Sequence, residues 1–250
     1  MKMYRSLIYK SFKITRRRDK LFIVLILLIA TLFSMVNVSF KFDDSMDINE
    51  AASLICVFSF ILAVLCGMCA GTNNGTYKTD VNTGWDHYIK VLPPTAVQQT
   101  VADILIKLIY VLIFGLIIMM YVIIANNSTG IDIIKYALNV FLFATSLSVL
   151  ADTVYSFIAM FAKNKLQLRL MGLAAIVCAG LIFKAIGMMK IDINMGSPVP
   201  FGDPLYGNTA YELAMFIGSD KVTFISVSAF AVTLGLYFLA LWRSHGRREP

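Results

Sequence analysis

Six stretches of about twenty residues with almost no charge divide the chain, and no other feature constrains its fold as strongly. They cover residues 21–40, 51–72, 104–125, 136–162, 170–189 and 222–242. A helix needs about 20 apolar residues, at about 1.5 Å each, to cross about 30 Å of hydrocarbon. The runs are continuous, whereas the strands of a membrane barrel alternate apolar and polar positions over about 10 residues. The pattern predicts an all-α integral membrane protein with six transmembrane helices. Composition agrees. Of 250 residues, 58% are hydrophobic and 15% charged, where a soluble domain carries about 25% charged. That excludes a soluble enzyme, a disordered chain and a secreted disulfide scaffold.

Lysine and arginine predict the orientation. An even span count puts both ends on one side. With that side cytoplasmic, 16 of the 22 Lys and Arg fall in the inside segments 1–20, 73–103, 163–169 and 243–250. Only Lys41, Lys135, Lys190 and Lys221 lie outside, against nine acidic residues there and five inside. The net charge of +7 is therefore a topology signal, and no nucleic-acid partner is expected. The first span does not read as a cleaved leader. Its basic region is 20 residues long, its apolar core is too long, and no Ala-x-Ala site follows.

The segments between the spans carry their own signals. Residues 1–20 form a cytoplasmic interfacial segment. Tyr4, Leu7, Ile8 and Phe12 recur at helical spacing, and Lys2, Arg5, Lys13 and Arg16 fall mostly on the other side, suited to an anionic lipid surface. Ala63, Gly67, Gly71 and Gly75 form a small-xxx-small row that lets two helices approach closely. In the inside loop 73–103, Trp85, Tyr88, Ile89 and Leu92 mark one face of a short amphipathic helix stopped by Pro93-Pro94. Thr95-Ala-Val-Gln98 then reads as a capping box opening the third span. The outside loop 190–221 carries Pro198, Pro200, Pro204 and an apolar stretch over 211–217. It predicts a small ordered cap over 200–217, with Tyr211, Leu213, Phe216 and Ile217 buried. The tail 243–250 is cytoplasmic.

Chemistry-bearing motifs are few. Cys66-Gly-Met-Cys69 has the CxxC spacing, but there is no second pair and no nearby His, so small packing residues are the reading and no metal is expected. Gly71-Thr-Asn-Asn-Gly75-Thr lacks the Gly-Lys-Ser/Thr ending of a phosphate loop. No HExxH and no GxSxG occurs, and the two histidines, His87 and His245, fall in cytoplasmic segments. The chain is expected to be no enzyme and to bind no cofactor itself. Asp152 is the carboxylate well inside a span. Lys184 lies within the fifth span and Lys107 near the start of the third. An ionised carboxylate at mid-bilayer costs about 3 kcal/mol, so Asp152 must face protein or water. Counted from Lys163 it lies about 16 Å from the inner boundary, near the midplane. Lys184 has a stem long enough to approach it or to snorkel outward. The two are candidates for a structural ion pair or for a polar patch on a translocation route. An ion-coupled carrier would usually show more intramembrane charge, or an internal repeat.

These features together resemble an ABC transporter type-2 permease. They are the basic interfacial N-terminus, six spans, the inside run Trp85-Asp86-His87-Tyr88-Ile89-Lys90-Val91-Leu92-Pro93-Pro94 and the structured last outside loop. Shorter bacterial members of that family read W-x-x-Y-x-x-x-L-P before the third span, here Trp85, Tyr88, Leu92 and Pro93. The likeness is strongest to permeases that export phenol-soluble modulins, which are amphipathic peptides. It implies a bacterial plasma-membrane protein that pairs with a second permease copy or a related one, and docks a separate ATPase holding ATP and Mg. Short cytoplasmic coupling helices would pass movement to the spans. The candidates are Trp85, Asp86, His87, Tyr88, Ile89, Lys90 and Leu92, with Lys163, Asn164 and Lys165 in the second coupling loop. The cargo implied is an amphipathic peptide toxin, or in relatives with a similar layout an antimicrobial peptide, a drug or a lipid-like compound. The cluster His87-Tyr88-Ile89-Lys90 departs from the family norm.

Overall fold

The computed structural model describes residues 17–40, 48–71, 95–161, 199 and 203–246. Among the described residues there are six helices and no strand: α1 Arg17–Phe40, α2 Ile48–Gly71, α3 Ala96–Thr129, α4 Ile134–Phe161, α5 Thr209–Ile217 and α6 Asp220–Gly246. All but α5 are long and apolar enough to cross a membrane, so the chain has the helices of a multi-pass membrane protein. They fall on the first, second, third, fourth and sixth apolar stretches. The fifth stretch, 170–189, lies outside the described residues, as do 1–16, the segment 85–92, Lys163, Asn164, Lys165 and Lys184.

In lipid the backbone must satisfy its own hydrogen bonds, and a continuous helix does so. What the side chains decide is which stripe faces protein. On α3, Leu112, Leu116 and Met120 recur every fourth residue and are exposed, while Tyr110, Phe114, Ile118, Val122 and Ala125 are buried. The apolar outer row is the expected surface of a helix solvated by hydrocarbon. Interior hydroxyls bond back to the preceding turn. Thr100, Thr145 and Thr153 donate to the carbonyls of Ala96, Phe141 and Val149, which removes the cost of burying them unpaired.

The small-residue row on α2 works as its spacing predicts. Ala63 is fully buried. A methyl group built on Gly67 would stand 2.7 Å from Ala144 Cβ and 2.8 Å from the Phe141 carbonyl oxygen. One built on Gly71 would collide with Ser148. Backbone-close approach therefore locks α2 to α4, and α4 packs chiefly on α2 and α6. Gly75 lies outside the described residues. The capping box is also present. The Gln98 amide N–H donates to Thr95 Oγ1 at 3.4 Å, and the Thr95 N–H donates to Gln98 Oε1 at 3.1 Å. At its other end α3 stops at Gly130, whose φ of 75° is left-handed and suits glycine. Asp132 then accepts from the Ile134 N–H at 3.1 Å and turns the chain into α4.

The 130–133 connection, the start of α2 and α5 lie together at one end of the bundle, here called the cap end; the other is the foot. At the cap end Asn208 caps α5 by accepting from the Tyr211 N–H at 3.2 Å. Its amide donates to the Asn49 carbonyl at 2.8 Å, and Ser53 donates to its Oδ1 at 3.2 Å. The loop is thus pinned to α2. The apolar stretch over 211–217 is helical but less buried than expected: Tyr211, Phe216 and Ile217 are half-buried and Leu213 is exposed. Ala214 is buried, Ala210, Tyr211 and Ile217 pack on the core, and Phe216 is half-buried, while Leu213 is 48% exposed. Positions 210, 214 and 217 share one face of a helix; position 213 stands at the edge of that face, on the side away from Tyr211. Burial, helped by nearby Asp203, holds the Tyr211 phenol above its ordinary pKa.

Candidate functional site

The polar feature that stands out in the described bundle lies where α3, α4 and α6 meet. Lys107 Nζ donates to Asp152 Oδ2 at 2.7 Å. The same ammonium sits 4.0 Å from the centre of the Tyr237 ring. The Lys107 side chain is 1% exposed, that of Asp152 12%, and Tyr237 is buried. Lys107 belongs to α3, Asp152 to α4 and Tyr237 to α6, so one cation ties three spans. The geometry answers the cost of burial. The Asp152 carboxylate neutralises the charge, and the aromatic face of Tyr237 takes up another part of the ammonium.

The depth of this group follows from helix rise. Asp152 lies 18 residues after Ile134, about 27 Å from the cap end, and Tyr237 lies 17 residues after Asp220, about 26 Å. Both distances approach the full thickness of about 30 Å of hydrocarbon. The group therefore lies in the foot half of α4 and α6. With 28 residues, α4 is about 42 Å long, more than the hydrocarbon is thick.

The apolar core has a large and a small part. The large cluster runs through α1, α2, α3 and α4 and takes in Leu205 and Ala214 of the cap. A separate small cluster of Val149, Tyr237 and Leu241, with Ile104 and Leu234 against it, holds the foot. Although consecutive in sequence, α3 and α4 share less contact with each other than α4 shares with α2 or α6.

Asp152 was legible as a residue needing a partner; its partner Lys107 was visible only as one of two lysines inside spans. Lys184, the other, lies outside the described residues, as do all the coupling candidates from Trp85 to Leu92 and Lys163 to Lys165. Sequence reasoning did not single out two buried asparagines. Asn37 donates to the Tyr121 hydroxyl at 3.1 Å, tying α1 to α3. Asn139 donates to the Ile217 carbonyl at 2.7 Å and to Thr223 Oγ1 at 2.9 Å, joining α4, the end of α5 and the start of α6. An Asn inside an apolar run was the available signal, since a buried amide demands partners. Among the described residues no group of three or more His, Cys, Asp or Glu is placed to hold a metal ion. Comparison with protein-family models, with curated proteins and with solved structures returned no match.

Proposed function

We propose that this chain is the membrane subunit of an ATP-driven ABC exporter that moves amphipathic peptides out of a bacterial cell. It pairs with a second copy or a related permease. ATP and Mg are bound on a separate ATPase chain, and this chain carries no catalytic centre of its own. Both termini face the cytoplasm in this reading, so α5 caps the outer end and the foot faces the ATPase.

The start of α3 is the observation that supports the reading. In the sequence Pro93-Pro94 follows the run Trp85–Leu92; in the structure Thr95 caps the next helix, which runs unbroken for 34 residues, about 51 Å. A rod of that length carries a displacement at its foot to the cap end without loss in a flexible joint. Trp85, Tyr88, Ile89 and Leu92 supply the apolar face that docks in a groove of the ATPase. Asp86, His87 and Lys90 supply its polar rim, and Lys163, Asn164 and Lys165 a second contact. Aromatic anchors of this kind carry much of the binding energy at interfaces.

Purification of the tagged chain from its native membrane in mild detergent tests this. A P-loop ATPase should accompany it, and Trp85→Ala or Tyr88→Ala should each cut recovery of that partner about tenfold or more. A second reading, an ion-coupled carrier, draws on the Lys107–Asp152 pair inside the spans. A chain that purifies alone and transports in liposomes without ATP would establish that reading and end the first.

A further inference from the structure

Two polar pairs hold α3, and they reach different neighbours. Lys107 donates to Asp152 of α4 at 2.7 Å, and Tyr121 accepts from Asn37 of α1 at 3.1 Å. All four residues are buried. Tyr121 lies 14 residues after Lys107, about 21 Å along the helix. We propose that these pairs are register keys: they fix how far α3 is displaced along the bundle, and they select one packing more than they stabilise it.

The apolar surface of α3 leaves that displacement open. Ala102, Ile106, Tyr110, Phe114, Ile118 and Val122 recur every fourth residue, and all are buried. A screw movement of four residues, about 6 Å along the axis with a turn of about 40°, lays this row on itself. Hydrocarbon is as apolar as the side chains that would enter or leave a contact, so burial adds little preference for one offset. Backbone-close packing does not decide it either. A methyl group on Gly115 of α3 would stand 3.6 Å from the Phe141 ring, an ordinary contact, whereas those on Gly67 and Gly71 of α2 would collide with α4.

Polar pairing is not indifferent to such a movement. One turn toward the cap end puts Asp103 where Lys107 stands, against the Asp152 carboxylate. One turn toward the foot puts Val111 there and leaves that carboxylate without a partner. The same two movements put Ile117 or Ala125 where Tyr121 stands, and neither side chain accepts from Asn37. Each wrong offset therefore buries an unmatched charge and an unpaired amide. The pairs add little to stability itself. Pairing offsets the lost hydration of Lys107 and Asp152 only approximately. The Asn37 amide oxygen is buried with no hydrogen-bond partner, a penalty that a leucine there would not incur. Contacts so placed that no one-turn shift satisfies either of them are suited to choosing a register.

Distances between spin labels on the full chain in lipid nanodiscs test this. Ketone-linked labels go at Met120 of α3 and Val154 of α4, both exposed and at different depths, so axial displacement changes their separation. Wild type should give one distance. The keyless chain, Asn37→Leu, Lys107→Met, Tyr121→Phe and Asp152→Leu, should unfold near the wild-type temperature yet divide into two distances about 4 Å apart. In the moved-key chain, Asn37→Leu, Lys107→Met and Val111→Lys, the cation stands one turn further along α3, and the whole population should shift to a shorter distance by a similar amount. A keyless chain with only the wild-type distance would overturn the proposal, since side-chain shape and the short connection to α4 would then set the offset. If the keyless chain does not insert, the moved-key chain decides. A shortened distance supports the keys; the wild-type distance, or failure to insert, overturns them. The measurement needs no ATPase, so its outcome is separable from that of the exporter reading.

Discussion

Two lysine–aspartate pairs in this protein have nearly the same length and opposite settings. Lys107 and Asp152 meet at 2.7 Å with side chains 1% and 12% exposed; Lys135 and Asp220 meet at 2.8 Å with side chains 66% and 90% exposed. The second pair stands at the cap end, where water competes for both partners and salt screens them, so its formation changes little. The first is enclosed by three helices, where the alternative to pairing is a charge without a partner in an apolar interior. The bond length is therefore a poor guide to consequence. What matters is the state that each group enters when the bond is broken.

The sharpest break of that comparison is to remove one partner. Lys107→Met should destabilise the chain by about 3–5 kcal/mol, because it strands the Asp152 carboxylate. Thermal unfolding in detergent should show this as a large fall in Tm, largely reversed by adding Asp152→Leu. If the single variant unfolds like wild type, the pair does not matter in the way its burial implies.

A smaller effect tests whether close packing, rather than charge, holds the same end. Gly71→Ala forces a methyl group into Ser148, and overpacking costs about 1–3 kcal/mol. Its Tm should fall by less than that of Lys107→Met, and a Gly71→Ala, Ser148→Gly chain should recover only part of the loss, because the Thr145 carbonyl oxygen still lies 3.0 Å from the added methyl. Smaller again is the neutral clasp at the cap. Asn139→Ala removes two donated hydrogen bonds and frees the Ile217 carbonyl, at a cost of about 1 kcal/mol. Limited proteolysis should find 203–219 cut sooner in that variant, with the spans intact; an unchanged rate would mean that Asn208 alone secures the cap. The smallest effect belongs to the exposed pair. Lys135→Gln should leave Tm unchanged at any salt concentration. A fall that disappears at high salt would show the exposed pair to be worth more than its solvation suggests.

Much of the helical layout could be read from the residues, because a helix in lipid is largely a local decision. Continuous apolar runs, the Thr95–Gln98 capping box and the row Ala63, Gly67, Gly71 each act through neighbours a few positions away. Leu213 shows where local reading fails. An apolar residue in an apolar stretch was expected inside, yet a nine-residue helix buries one stripe, and Ala214 took the place. Which stripe turns inward depends on the neighbours, not on the stretch.

The chain's own order of residues thus determined that it is a bundle of membrane-crossing helices, where α3 begins, which face of α2 accepts a close neighbour, and that Asp152 needs a partner. Tertiary structure alone decided that the partner is Lys107, 45 residues away, with Tyr237 of α6 above the ammonium. It also decided that the group lies in the foot half of α4 and α6. The physical reason is that hydropathy and capping act along one helix, whereas pairing between helices depends on their relative rotation and axial offset. Those are settled by packing over the whole bundle, here by the glycine contact of α2 with α4 and by the closed cap.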